Sequence, residues 1–229
     1  MKKTAQSTGD QIRLARIPVG AETTVEGDLT VPASATGIVL FAHGSGSSRH
    51  SPRNQFVART IRGAGLGTLL FDLLTHDEET EDERSGRLRF DIDLLARRLV
   101  EATGWITRQP ETRELGAGYF GASTGGGAAL VAAAEMGLDI GAVVSRGGRA
   151  DLAGEALERV RSPVLLIVGE RDETVLELNR SAYARMTCKK ELEVIPRATH
   201  LFEESGALEE VARRAADWFT NHLRPRGSP

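Results

Sequence analysis

Leu115-Gly116-Ala117-Gly118-Tyr119-Phe120-Gly121-Ala122-Ser123-Thr124-Gly125-Gly126-Gly127-Ala128-Ala129-Leu130 is the stretch on which the reading of this chain turns. It opens as an apolar run, narrows to small residues and continues as an alanine-rich segment. An apolar run this short, ending in turn residues, reads as a strand covered on both faces. The small residues contain Gly121-Ala122-Ser123-Thr124-Gly125, a G-x-S-x-G pattern set between that strand and a helix. So tight a turn forces Ser123 into a strained backbone conformation and lifts its hydroxyl over the end of the sheet. Gly126 and Gly127 extend the small run into the helix, where each glycine costs about 1 kcal/mol relative to alanine. Such a breach of local preference calls for a compensating function or a close helix–strand approach. The overlapping Gly116-Ala117-Gly118-Tyr119-Phe120-Gly121 matches a dinucleotide fingerprint. That fingerprint must follow a strand, whereas here it lies within one and carries bulky Tyr119 and Phe120, so no dinucleotide is expected.

Working outward, apolar runs at 11–17, 24–31, 37–42, 67–73, 115–120, 141–145, 164–168 and 191–195 read as strands. Helical patterns at 52–64, 90–107, 123–136, 152–160, 175–185 and 206–222 alternate with them. Ser51-Pro52 supplies an N-cap and a first-position proline, and Thr174-Val175-Leu176-Glu177 reads as a capping box. Two leading strands followed by strand–helix alternation imply a mostly parallel, doubly wound α/β sheet of about eight strands with helices on both faces. No linker or repeat interrupts the 229 residues, so one domain is expected, with 1–10 and 224–229 as flexible tails.

Composition narrows the function classes. Hydrophobic residues make up 40% and charged residues 27%, an ordinary globular balance. A net charge of −3 argues against nucleic acid as a partner. No apolar run approaches the roughly 20 residues of a membrane span. The polar segment after Met1-Lys2-Lys3 does not suit a secretory leader, and a lone cysteine, Cys188, allows no intrachain disulfide, so a cytoplasmic location is expected. No His/Cys spacing fits a closed metal site, and neither metal nor cofactor is expected.

A serine nucleophile needs a base and a carboxylate to orient it. In doubly wound sheets such groups gather at the carboxyl ends of strands. Of the five histidines, only His200 lies both after Ser123 and on a strand-to-helix turn. The turn after 164–168 reads Glu170-Arg171-Asp172-Glu173. Asp172 is the candidate acid there, with Glu170 and Glu173 as alternatives. The oxyanion of an acyl-transfer intermediate requires aimed donors. The amide of Thr124, next to the serine, is one candidate. The loop Ala42-His43-Gly44-Ser45-Gly46-Ser47-Ser48 offers the other, with the Ser45 amide ahead of Gly44 and His43 as a residue shaping the loop.

His43-Gly44-Ser45-Gly46, Gly121-Ala122-Ser123-Thr124-Gly125, Asp172 and Thr199-His200 together resemble the α/β-hydrolase superfamily, and most of all its small dienelactone-hydrolase-like members. The resemblance spans about residues 36–223. It implies the α/β-hydrolase fold, a Ser123–His200–Asp172 triad, and hydrolysis of carboxylic esters or related acyl bonds. Ser123 stands where dienelactone hydrolases carry a cysteine, which makes a serine esterase of small acyl substrates the leading expectation. A non-catalytic binding protein of the same fold, or acyl transfer to another acceptor, is the alternative.

Few residues separate Arg146-Gly147-Gly148-Arg149 from the helix at 152–160, so no cap domain is expected over the site. Arg146 and Arg149 lie on the same edge and are candidates to bind a substrate carboxylate, unless surface acids such as Asp151 or Glu155 occupy them. His76-Asp77-Glu78-Glu79-Thr80-Glu81-Asp82-Glu83, with six acids in eight residues, reads as a solvated loop.

Overall fold

A computed structural model describes residues 11–20 and 23–226. Of the expected tails at 1–10 and 224–229, residues 1–10 and 227–229 lie outside the described residues. Among the described residues eight strands form one sheet: β1 (Arg13–Val19), β2 (Thr23–Thr30), β3 (Gly37–Ala42), β4 (Gly67–Phe71), β5 (Gly116–Ala122), β6 (Ile140–Arg146), β7 (Val164–Gly169) and β8 (Lys190–Ile195). Their order is β1-β2-β4-β3-β5-β6-β7-β8. β1 pairs with β2, and β2 with β4, in antiparallel fashion; every later pairing is parallel. The chain steps from β3 to β4 in one direction and later returns to lay β5 on β3's other side. This reversal is the topological switch point at which doubly wound sheets place ligands. The loops after β3 and β5, carrying Ser45 and Ser123, flank it.

Six α-helices among the described residues cover the sheet: α1 (Pro52–Gly63), α2 (His76–Ser85), α3 (Ile92–Ile106), α4 (Thr124–Met136), α5 (Glu173–Arg185) and α6 (Ala207–His222). β3, β4, β5 and β7 are buried along their whole length, as strands covered on both faces must be. Apolar residues of α3, α4 and α5 pack one core on one face. Val57, Ala58 and Ile61 of α1 pack with Val211, Ala215 and Phe219 of α6 in a second core on the other. The glycine pattern within β5 has a packing cause. A Cβ on Gly118 would lie 2.9 Å from the Phe219 ring, and one on Gly116 would lie 2.0 Å from the Arg224 carbonyl oxygen.

Four expectations need correction. The acidic segment is a helix, α2. The Thr75 hydroxyl caps the Glu78 amide while the Glu78 carboxylate accepts from the Thr75 amide, and three acids in the first turn suit the helix dipole. Buried Asp82 pairs with Arg89, and Glu78 with Arg98, tying α2 down. The helix expected at 152–160 is 3-10 in geometry over Ala150–Arg159, broken at Gly154 with φ 51°. α5 begins at Glu173 with Asp172 at its cap position, so the Thr174 capping box does not form. The C-terminal tail is packed as far as Arg226, whose amide donates to the Glu114 carbonyl at 2.9 Å. Between β6 and β7 only the short 3-10 segment intervenes, so the fold carries no cap. Among the described residues no helix is long and apolar enough to cross a membrane.

Candidate active site

Ser123 sits between β5 and α4 with φ 52° and ψ −122°, a conformation that side chains other than glycine rarely adopt. Packing over-determines it. A Cβ on Gly121 would lie 2.4 Å from the Gly125 carbonyl oxygen, and one on Gly125 only 2.2 Å from that of Ala42. The Ser123 amide donates to the Arg146 carbonyl at 3.3 Å, and the Gly126 and Arg149 amides both donate to the Ser123 carbonyl at 2.9 Å. The segment after β6 therefore clamps the strained residue, a support the sequence motif does not reveal.

The loop after β3 abuts this turn; a Cβ on Gly44 would lie 3.1 Å from that of Ser123. His43 shapes the loop. Its Nδ1 lies 3.0 Å from the Gly44 carbonyl oxygen, and its Nε2 accepts the Leu73 amide at 3.1 Å. A carbonyl only accepts and an amide only donates, so His43 is the neutral tautomer protonated at Nδ1. Burial pushes its pKa down, in keeping with that form. The Ser45 amide donates at 2.9 Å to the Thr124 hydroxyl. The two oxyanion candidates thus lie side by side, but the one hydrogen of the Ser45 amide is taken up by the Thr124 side chain, so the donor expected at Ser45 is engaged in this structure. The Thr124 amide belongs to the first turn of α4, where amides have no carbonyl partner within the helix.

Asp172 places its Oδ2 2.6 Å from His200 Nδ1. Standing at the cap position of α5, it makes no side-chain cap bond, so its carboxylate is left for the histidine. The neighbouring acids have other settings. Glu170 accepts the Arg197 amide at 2.7 Å, and Glu173 is exposed in the first turn of α5. The His200 turn is held on both sides. Glu204 accepts the Thr199 amide at 3.0 Å, and Arg197 and Phe202 both have positive φ, 62° and 56°. The Phe202 ring is buried beneath it. The turn lies against the segment after β6; a Cβ on Gly147 would lie 3.2 Å from the His200 carbonyl oxygen. Ser123, Asp172 and His200 thus occupy three turns along the carboxyl edge of the sheet.

The two arginine candidates part company. Arg149 forms a fork with Asp151, Nε to Oδ1 at 2.8 Å and Nη2 to Oδ2 at 2.7 Å, which takes up the face expected to bind a carboxylate. Arg146 is buried, and burial followed by the nearby charge of Arg53 pushes its pKa down to about 10, so it stays cationic at neutral pH. A cleft of about 310 Å³ opens between the 44–48 loop and α2. Leu73, Leu74 and Leu95 line it together with Glu79, Glu83 and Arg89. Burial raises the Glu79 pKa, as does the charge of Asp72. α2, read from sequence as a solvated loop, is therefore a wall of the cleft. The T-x-x-E pattern at Thr75–Glu78 was the signal that could have shown it. Among the described residues no group of three or more His, Cys, Asp or Glu side chains is arranged to hold a metal ion.

Known proteins place this architecture. The model of the dienelactone hydrolase family matches residues 25–224. Two Mycobacterium tuberculosis proteins, provisionally named phosphoribosyl transferases, are 60% identical over 199 residues, which is 87% of this chain and 44% of theirs. The chain thus spans less than half the length of the curated relatives it matches. The crystal structure of a dienelactone hydrolase from Anabaena variabilis is 57% identical, covers 94% of this chain and 99% of its own, and superposes with a TM-score of 0.92. Est1E from Butyrivibrio proteoclasticus, at 15% identity, TM-score 0.76 and coverage of 91% and 98%, is alike in fold. With nearly all of its described length matched by the family model and by the Anabaena structure, the chain belongs to the dienelactone hydrolase family.

Proposed function

We propose that the chain cleaves small carboxylic esters or related acyl bonds through a covalent acyl-serine. The observation that carries this reading is the Asp172–His200 pair, 2.6 Å apart, on the same sheet edge as a serine held at positive φ. Ser123 Oγ attacks the acyl carbon while His200 Nε2 takes the hydroxyl proton. The Asp172 carboxylate accepts from Nδ1, holds the tautomer that leaves Nε2 free as base, and stabilises the imidazolium that forms. The developing oxyanion accepts from the Thr124 amide, and from the Ser45 amide once substrate displaces the Thr124 hydroxyl from it. Collapse expels the alcohol, which receives the proton from His200. Water, deprotonated by His200, then adds to the acyl-enzyme and releases the acid and free Ser123. The absence of a cap, which leaves little wall around the three turns, supports small substrates. A lone cysteine supports a cytoplasmic setting.

The transferase named for the Mycobacterium relatives is not carried over, because the matched segment is less than half of those chains. A fluorophosphonate probe tests the proposal. The adduct is expected on Ser123 and is lost in Ser123→Ala and His200→Ala. Asp172→Asn is expected to lower kcat by about 10⁴, the scale seen when a triad loses its orienting carboxylate. A folded protein that resists the probe overturns the reading in favour of a binding role. Product analysis with thiol and alcohol acceptors separates hydrolysis from acyl transfer.

A further inference from the structure

Arg146 ends β6, and its side chain runs under the His200 turn towards the first turn of α1. The residue is 8% exposed. Its Nη2 approaches Asn54 Oδ1 at 3.5 Å, and its guanidinium lies 6.0 Å from the centre of the Phe202 ring. Nε and Nη1 have no hydrogen-bond partner. No carboxylate pairs with it among the described residues, although Arg49 has Asp72, Arg98 has Glu78 and Arg149 has Asp151. The charge beside it is a second cation, Arg53, which makes a 3.3 Å bridge to exposed Glu203. α1 carries no acidic residue in its first turn, so its positive end, capped only by the neutral Ser51 hydroxyl on the Asn54 amide, also lies here.

Three positive sources therefore converge on one place with no negative partner buried among them. A buried cation without a counter-charge is strongly destabilising, and a planar guanidinium fork matches a carboxylate or phosphate. We infer that Arg146, Arg53 and the first turn of α1 form a subsite for a compact oxyanion. The subsite adjoins the reaction centre through the backbone, since the Arg146 carbonyl accepts the Ser123 amide and the following Gly147 lies against His200. The anion is a substrate's own carboxylate or phosphate, or a free inorganic anion. Only the first source rests on the esterase reading.

The test is thermal unfolding of the full chain in inorganic phosphate, against sodium chloride at equal ionic strength. A hundredfold excess of phosphate over its Kd is expected to raise the wild-type Tm by roughly 5–10 °C. Ser123→Ala is expected to keep that rise, which separates the subsite from the fate of the esterase reading. Arg146→Met is expected to lose the rise and to melt above wild type in phosphate-free buffer, because the uncompensated charge is gone. Arg146→Gln serves as a second variant should the methionine protein not fold. Equal wild-type melting in phosphate and chloride, or a full phosphate response in the Arg146 variants, overturns the inference. Comparing kcat/KM for 4-nitrophenyl butyrate and its terminally carboxylated analogue identifies the source. A preference of about tenfold for the carboxylated ester that disappears in the variants marks a substrate-borne anion, and no preference beside an intact phosphate response marks a free one.

Discussion

The Ser45 amide donates to the Thr124 hydroxyl at 2.9 Å, joining the glycine-rich loop after β3 to the first residue of α4 across 79 positions of sequence. This bond holds the Ser45 amide beside that of Thr124, in the place from which it is proposed to turn to the oxyanion when substrate displaces the hydroxyl. Thr124 is 3% exposed, so its hydroxyl is a fixed partner, not a surface group free to turn to water.

Thr124→Val keeps the shape and removes the hydroxyl. The Ser45 amide then lacks its partner, at a cost of about 1 kcal/mol in stability. Loss of its aim is expected to lower kcat/KM about tenfold or more, with Thr124→Ser restoring most of it. Steady-state kinetics on 4-nitrophenyl esters, with urea unfolding beside them, check both. An unchanged kcat/KM in Thr124→Val refutes the positioning role.

Ser123 holds φ 52° at the expense of stability. Glycine adopts that conformation without strain, whereas alanine does not. Ser123→Gly is therefore expected to be more stable than Ser123→Ala by about 1 kcal/mol, with both inactive. Urea midpoints at matched m-values measure the difference.

His43 must stay neutral to accept the Leu73 amide at Nε2. Its folded pKa lies below the ordinary 6.5, so the unfolded chain binds more protons in the window beneath that value. Stability there rises with pH and is lost as pH falls. Wild type is expected to lose stability between about pH 7 and pH 5, and His43→Asn to lack this component while being less stable at neutral pH by about 2 kcal/mol. Denaturant titrations across that range decide it, the difference between the two proteins isolating His43 from the other histidines. Parallel pH profiles for the two would sink the assignment.

Gly125 has no room for a side chain, its Cβ falling 2.2 Å from the Ala42 carbonyl oxygen. Gly125→Ala is expected to cost about 3 kcal/mol by forcing the β3 loop and α4 apart. A methyl group on Gly63 of α1 would meet nothing within 4 Å, and Gly63→Ala is expected to be neutral or stabilising by up to about 1 kcal/mol. Melting temperatures of the pair measured together provide the check.

Much of this was readable from local pattern. Eight apolar runs named eight strands, with boundaries moved by at most a few residues. The strand–turn–helix context around Ser123 announced a strained backbone there, and chain order pointed to Asp172 and His200. These signals are local because strand burial and turn sterics act over a few neighbouring residues. α2 escaped because its acids hide a capping box whose value depends on Arg89 and Arg98, residues that pair with it only in the folded chain.

The sequence by itself determined the sheet and the turns on which polar groups would gather. Only the tertiary structure decided how those groups are used. Asp172 faces His200 while Glu170 holds Arg197, although both stand on one short turn. Arg149 closes on Asp151 while Arg146, three residues before it, is buried without a counter-charge. Period and turn chemistry fix where a backbone goes. The partner of a side chain depends on rotamers and on neighbours from distant strands, which no stretch of sequence contains.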